Sequence, residues 1–157
     1  MAIALTLRQY LADHGVEYDS MPHEFTQTSM RTAEASHVPG DSLAKAVLLK
    51  RDGGGYLLAV LPASCHLRID ELMAQVDRSV ELASEREVET LFGDCVRGAV
   101  PPIGAAYGVD VIVDDGIAGR PDIWFEAGDH ATLIHMTGDQ FARLTAGLPH
   151  GRFSRHD

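Results

Sequence analysis

Lys45 is one of two lysines among 157 residues, and it stands inside an apolar run, Leu43-Ala44-Lys45-Ala46-Val47-Leu48-Leu49. A cation on a core-forming strand must reach water, find a partner or face a cavity, because an unpaired buried charge is costly. The third outcome makes Lys45 a candidate to hold a strongly polar ligand atom. A second candidate is the loop Gly98-Ala99-Val100-Pro101-Pro102-Ile103-Gly104. Glycine lets backbone N–H groups approach a ligand closely, and proline keeps such donors in place. A loop of this kind can bind a carbonyl oxygen or a developing oxyanion. The same composition also describes a rigid connector between a helix and a strand. It is not a phosphate loop, since it lacks the Lys-Ser/Thr ending. His130, in the turn Gly128-Asp129-His130, is a third candidate, beside the plainer reading of a surface turn residue.

Other chemistries find less support. There are eight histidines but no His-x-x-x-His and no Cys-x-x-Cys, so no metal site is expected. If one strand ran through both His130 and His135, their odd separation would put them on opposite faces. Ser64, Cys65 and His66 are adjacent, and neighbours on a strand point apart, so they form no nucleophile–base pair by themselves. Cys65 and Cys95 read as free thiols of a reducing compartment.

The charge balance is −10 and the hydrophobic fraction 45%. That is ordinary for a soluble domain, and the acidic surface argues against a broad basic footprint on nucleic acid or anionic membrane. It leaves room for contact with a single nucleotide end. No signal segment opens the chain, and no apolar run approaches the ~18 residues of a membrane span. The expectation is one cytoplasmic domain over residues 1–157, without membrane or DNA partners.

The elements that must position the candidates follow from period and punctuation. Leu5 to His14 has helical spacing, stopped by Gly15. Val16 to Met21 alternates as a short strand, and Thr28 to His37 reads as a helix. The apolar runs on either side of Asp52-Gly53-Gly54-Gly55 make a β-hairpin, with Lys45 near the start of its first strand. A helix over Arg68–Val76 and a strand over Val80–Ala83 follow. Ser84-Glu85-Arg86-Glu87 is a capping box, opening a helix to Phe92. Asp94 to Tyr107 reads as loop. Strands are expected at Val109–Val113, Asp122–Ala127 and Ala131–Met136. A second capping box, Thr137 to Gln140, opens a final helix to Thr145, and the tail 147–157 reads as frayed. Short strands among short helices, with hairpins and no βαβ period, indicate a mixed α/β domain whose sheet is largely antiparallel.

Lys45, the Gly98–Gly104 loop and the Ala127-Gly128-Asp129-His130 turn, in that order, resemble the YbaK-like family. These are aminoacyl-tRNA editing domains related to the insertion domain of bacterial prolyl-tRNA synthetase. The resemblance spans about residues 20–145. Ala44-Lys45-Ala46-Val47-Leu48 is similar to the family's lysine motif. Gly98 to Pro102 is similar to its Gly-x-x-x-Pro loop, and Phe125-Glu126-Ala127-Gly128 to its late Ala-Gly turn. The resemblance implies an α/β editing domain acting in trans on the ester of a mischarged tRNA, without metal or other cofactor. It places the terminal ribose near Lys45, with groups around Gly98 and Ala99 orienting the carbonyl and the attacking water. Phe25, Met30, Pro102, Ile103, Gly104 and His130 become substrate-contact candidates, and Arg31, Lys50 and Arg51 a positive rim. Ala46 stands where some members carry a polar residue, which bears on the amino acid removed.

The expected substrate is a small amino acid of the alanine, serine or threonine class on a non-cognate tRNA. The partners are then the aminoacyl-tRNA acceptor end and, as a second partner, a synthetase. The alternatives are a non-catalytic aminoacyl-nucleotide or synthetase-binding module and a small-molecule esterase.

Overall fold

The computed structural model describes residues 3–23 and 28–156 of the chain. The helices are α1 (Leu5–Asp13), α2 (Ser29–Ser36), α3 (Ile69–Val76), α4 (Glu85–Leu91) and α5 (Gly138–Leu144). The strands begin with β1 (Asp19–Pro22), β2 (Ala44–Arg51), β3 (Tyr56–Pro62), β4 (His66–Leu67) and β5 (Val80–Leu82). They continue with β6 (Asp110–Asp114), β7 (Asp122–Glu126), β8 (Thr132–Thr137), β9 (His150–Gly151) and β10 (Ser154–Arg155). A five-stranded sheet has the order β5-β2-β3-β6-β9, a three-stranded sheet the order β1-β8-β7, and β10 pairs β4. Pairing is antiparallel except for β3–β6 and β6–β9. The expected mixed α/β, antiparallel-rich class is what the chain adopts.

The β2–β3 hairpin forms where the glycines predict it. Gly53, Gly54 and Gly55 all have positive φ (86°, 114° and 88°), which side chains bearing a Cβ rarely adopt. Residue alternation then sorts β2 onto two cores. Ala44 and Leu48 pack with α1, β6 and β7, whereas Leu49 packs with Leu57, Leu72 and Ile112. Lys45 lies directly across the hairpin from Leu61.

The outer edge of β2 is only half covered. β5 pairs with Leu49–Arg51, extended by the Ala83 N–H to the Leu48 carbonyl (3.0 Å). At the other end Leu43 makes a single parallel bridge to Trp124. Leu43 O accepts from Ala63 and Arg51 N–H donates to Gly55, so odd-numbered peptides of β2 face β3. The peptide groups of Ala46 therefore face the uncovered stretch.

The Ser84 box is complete: its hydroxyl accepts from Glu87 N–H and its own N–H donates to the Glu87 carboxylate. The first short strand starts later than its alternation suggests, at Asp19. The Asp94–Tyr107 loop ends in a 3-10 turn over Gly104–Tyr107. The tail differs from the frayed end expected of it. His150–Gly151 and Ser154–Arg155 form β9 and β10, and between them Phe153 is fully buried among Leu49, Leu72 and Ile112. One aromatic anchor, with its N–H on Asp114 (3.0 Å) and its carbonyl accepting from Arg68 N–H (2.6 Å), outweighs the tail's polar composition.

Candidate active site

A cavity of about 270 Å³ opens at the uncovered stretch of β2. Its apolar wall is built from Ala44, Ala46, Leu48, Leu82, Val88 and Val100. Its polar members are Lys45, Glu85, Glu89, Arg97, Gly98 and Glu126. Because β5 stops at Leu82 and the chain turns away into α4, no strand among the described residues fills the edge between β5 and β7.

Lys45 is half-buried, and its ammonium donates to the Cys65 carbonyl at 2.6 Å. That carbonyl belongs to a tight turn in which Cys65 N–H bonds Pro62 O (3.0 Å). Ser64, in the same turn, donates to Asp41. The hydrogen bonds from His156 and Ser64 hold the Asp41 carboxyl below the usual carboxylate range. The Cys65 carbonyl thus takes part in aiming the Lys45 ammonium.

The Gly98 loop is anchored at both ends. Val96 N–H donates to Gly128 O at 2.6 Å, tying the loop to the late Ala-Gly turn. Gly128 has φ 113°, and a Cβ there would lie 2.8 Å from the Ala4 Cβ, so both conformation and space require glycine. Gly98, with φ 83°, is exposed at the cavity. Ala99 is fully buried and its N–H bonds Val96 O (3.0 Å), so that donor closes a turn inside the loop. Pro102, Ile103 and Gly104 are buried too. Ile103 joins the main core, and a Cβ on Gly104 would meet Val111 Cγ2 at 2.5 Å. These residues fasten the loop to the core, while Arg97, Gly98 and Val100 meet the cavity.

The remaining candidates separate. Met30 is 42% exposed and lies over Gly40 beside Ser64, next to the turn that holds Lys45. Phe25 lies outside the described residues. Lys50 pairs with Glu87 (3.5 Å) and Arg51 with Asp110 (2.8 Å), at the far end of β2. Five strand residues put Lys50 roughly 17 Å from Lys45. Arg31 is exposed on α2. The arginine at the cavity is Arg97, which bridges Glu85 (2.9 Å) and Glu89 (2.8 Å) on α4.

His130 is not a surface residue. It sits just before β8 in a left-handed turn, φ 61°, and is 2% exposed. Its Nδ1 contacts Glu126 Oε2 at 3.0 Å. Glu126 also accepts from Thr32 Oγ1 (2.8 Å) and contacts His23 Nε2 (3.1 Å). His135 lies within β8, where it contacts Asp122 (2.9 Å) and stacks on Trp124. Among the described residues no trio of His, Cys, Asp and Glu is arranged to hold a metal ion.

The family model for the aminoacyl-tRNA editing domain matches residues 23–144, well over half of the chain. The chain belongs to that family. The editing domain also resembles solved structures. A hypothetical protein is 20% identical, with a TM-score of 0.84, covering 96% of this chain and 99% of that one. A proposed trans-editing enzyme for prolyl-tRNA synthetase is 21% identical, with a TM-score of 0.81, covering 97% of this chain and 96% of that one. In a proposed signal transduction protein of Marinobacter aquaeolei VT8, 18% identical with a TM-score of 0.76, the editing domain covers 31% of the longer chain. At such identities the likeness is one of fold. No curated protein matches the chain.

Glu126, His23, Thr32 and Arg97 escaped the sequence reading of this editing domain. Glu126 lies within the Phe125–Gly128 motif, which gave it no role of its own, and Arg97 adjoins Gly98. His23 and Thr32 carry no such signal, lying 103 and 94 residues from Glu126 in sequence. Among the described residues no helix is long and apolar enough to cross a membrane.

Proposed function

We propose that this editing domain hydrolyses, in trans and without a metal ion, the ester of a mischarged tRNA carrying a small amino acid of the alanine, serine or threonine class. The observation that carries this is the apolar cavity of about 270 Å³ with Lys45 and Gly98 on its wall. The volume lies at the small end for ligand sites and suits an amino acid rather than a peptide. An aminoacyl ester is already activated, so orientation and a few fixed dipoles suffice for attack by water. Lys45, pre-aimed by the Cys65 carbonyl, holds a ribose or phosphate oxygen of the acceptor end. The Gly98 peptide, rather than that of Ala99, orients the ester carbonyl. Met30 and His130 do not line the cavity and act indirectly, Met30 beside the Ser64 turn and His130 through Glu126. Ala46 and Val100 limit the acyl group by size.

The test is a deacylation screen over tRNAs charged with cognate and non-cognate amino acids, read as release of labelled amino acid. Hydrolysis of one or a few small-residue esters is expected. If every charged tRNA survives while the protein binds an acceptor-end analogue, the domain is a binding module and the reading fails. If a simple amino-acid ester is cleaved as fast as the aminoacyl-tRNA, the domain is a general esterase.

A further inference from the structure

Glu126 ends β7, is 5% exposed and contributes to the cavity wall. A carboxylate only accepts hydrogen bonds, so each group holding it must donate. Its partners are the Thr32 hydroxyl (2.8 Å) and the imidazoles of His23 (3.1 Å) and His130 (3.0 Å). They come from three separate elements, the end of β1, α2 and the turn before β8. The residue is therefore fixed from several sides beside an otherwise apolar space. In such surroundings a negative charge acts on a ligand far more strongly than in water. The other carboxylates at the cavity differ. Glu85 and Glu89 are 69% and 53% exposed, and the Arg97 guanidinium holds both. Their field is neutralised locally and screened by solvent.

We propose that Glu126 is a specificity-determining residue that accepts the α-ammonium group of the aminoacyl ester, so that the cavity selects acyl groups bearing a free α-amine. The proposal rests on the deacylase reading. An α-amino group is largely protonated near neutral pH, and it is bonded to the carbon next to the ester carbonyl. With the carbonyl held at the Gly98 end of the cavity, the ammonium must find its acceptor within the same small space. Glu126 is the buried carboxylate there. Thr32, His23 and His130 then act as positioning residues, keeping the carboxylate oriented while substrate enters and leaves.

The experiment compares alanyl-tRNA with its α-hydroxy counterpart, lactyl-tRNA, which has nearly the same size and no cation. Each enzymatic rate is divided by the spontaneous hydrolysis rate of that ester. The wild-type domain is expected to favour the alanyl ester roughly 10–100-fold in normalised kcat/KM, the worth of a charge-assisted hydrogen bond. Glu126→Gln keeps the size and an acceptor, and should bring that ratio close to one. A wild-type ratio near one overturns the proposal, whatever the stability of the variant. An unchanged ratio in a folded Glu126→Gln overturns it as well. If the wild type cleaves neither these esters nor any other charged tRNA, the deacylase reading itself has failed and takes the proposal with it.

Discussion

Two carboxylates in this molecule gather donors from distant parts of the chain, and they do different work. Glu126 collects Thr32, His23 and His130 in a buried setting beside the cavity. Asp94 is exposed and accepts from the Thr6 N–H (2.8 Å), the Tyr107 hydroxyl (2.8 Å) and the Cys95 thiol (3.7 Å). The Thr6 bond serves α1, whose own N-terminal residue offers no side-chain cap. Burial pushes the Cys95 thiol up to about 11, against the opposing contact with the Tyr107 hydroxyl, so the thiol stays protonated and unreactive at neutral pH. Burial also raises the Tyr107 phenol. The Asp94 cluster is a strut between α1 and the start of the glycine–proline loop. Gathering hydrogen bonds does not by itself mark a functional carboxylate. What separates Glu126 from Asp94 is burial on the wall of a ligand-sized space.

The sharpest way to break this contrast is on the cavity side. Lys45→Ala should lower kcat/KM for deacylation on the order of 10²–10³-fold, the scale of losing one preorganised donor at a reacting ester. The thermal midpoint should move little, since Lys45 is only half-buried. A large fall in stability with unchanged activity per folded molecule would reverse the assignment. Next in size, Gly98→Ala should weaken activity about tenfold. An alanine at φ 83° costs about 1–2 kcal/mol, which the loop can relieve only by moving its peptide. Parallel assays on alanyl- and seryl-tRNA would show whether both esters suffer alike, as a shared carbonyl contact requires.

On the strut side, Asp94→Ala should remove about 1 kcal/mol of helix-cap stabilisation, lowering the midpoint by about 2–4 °C. Turnover per folded molecule should stay within twofold, and a tenfold drop would show that the strut reaches the site. The smallest effect concerns Glu87. Hydrogen bonds from the Tyr56 hydroxyl and the Ser84 N–H hold its carboxyl at about 2, below its ordinary 4.5. A depressed carboxyl contributes stability above its unfolded value, and that contribution is lost as pH falls from about 4.5 through about 2. Glu87→Gln should flatten the acid limb of a stability–pH curve there and leave the neutral plateau almost unchanged.

Much of the frame was legible because it is written in local chemistry. Gly53-Gly54-Gly55 can hardly be anything but a turn, and Ser84 with Glu87 signals a helix start through two bonds between near neighbours. Phe153 was misread because its burial depends on a gap among Leu49, Leu72 and Ile112, which no feature of the tail reveals. The candidate site was half legible. Lys45 and Gly98, picked out by their motifs, line one cavity, but Ile103 and Gly104 look inward to the core, and Ala99 uses its N–H within the loop. A loop's composition shows that backbone is available without showing which side of it faces a ligand.

By itself, then, the sequence determined the mixed α/β class, the hairpin that carries Lys45 and the loop and turn that accompany it. Turn glycines, capping boxes and hydrophobic alternation act over a few residues and survive without knowledge of the fold. Only the tertiary structure decided that β5 stops short and leaves the edge of β2 open. It alone brought Arg97 to the rim and His23, Thr32 and His130 onto Glu126. These are contacts between residues up to 103 apart in sequence, and their geometry exists only once the sheets have packed.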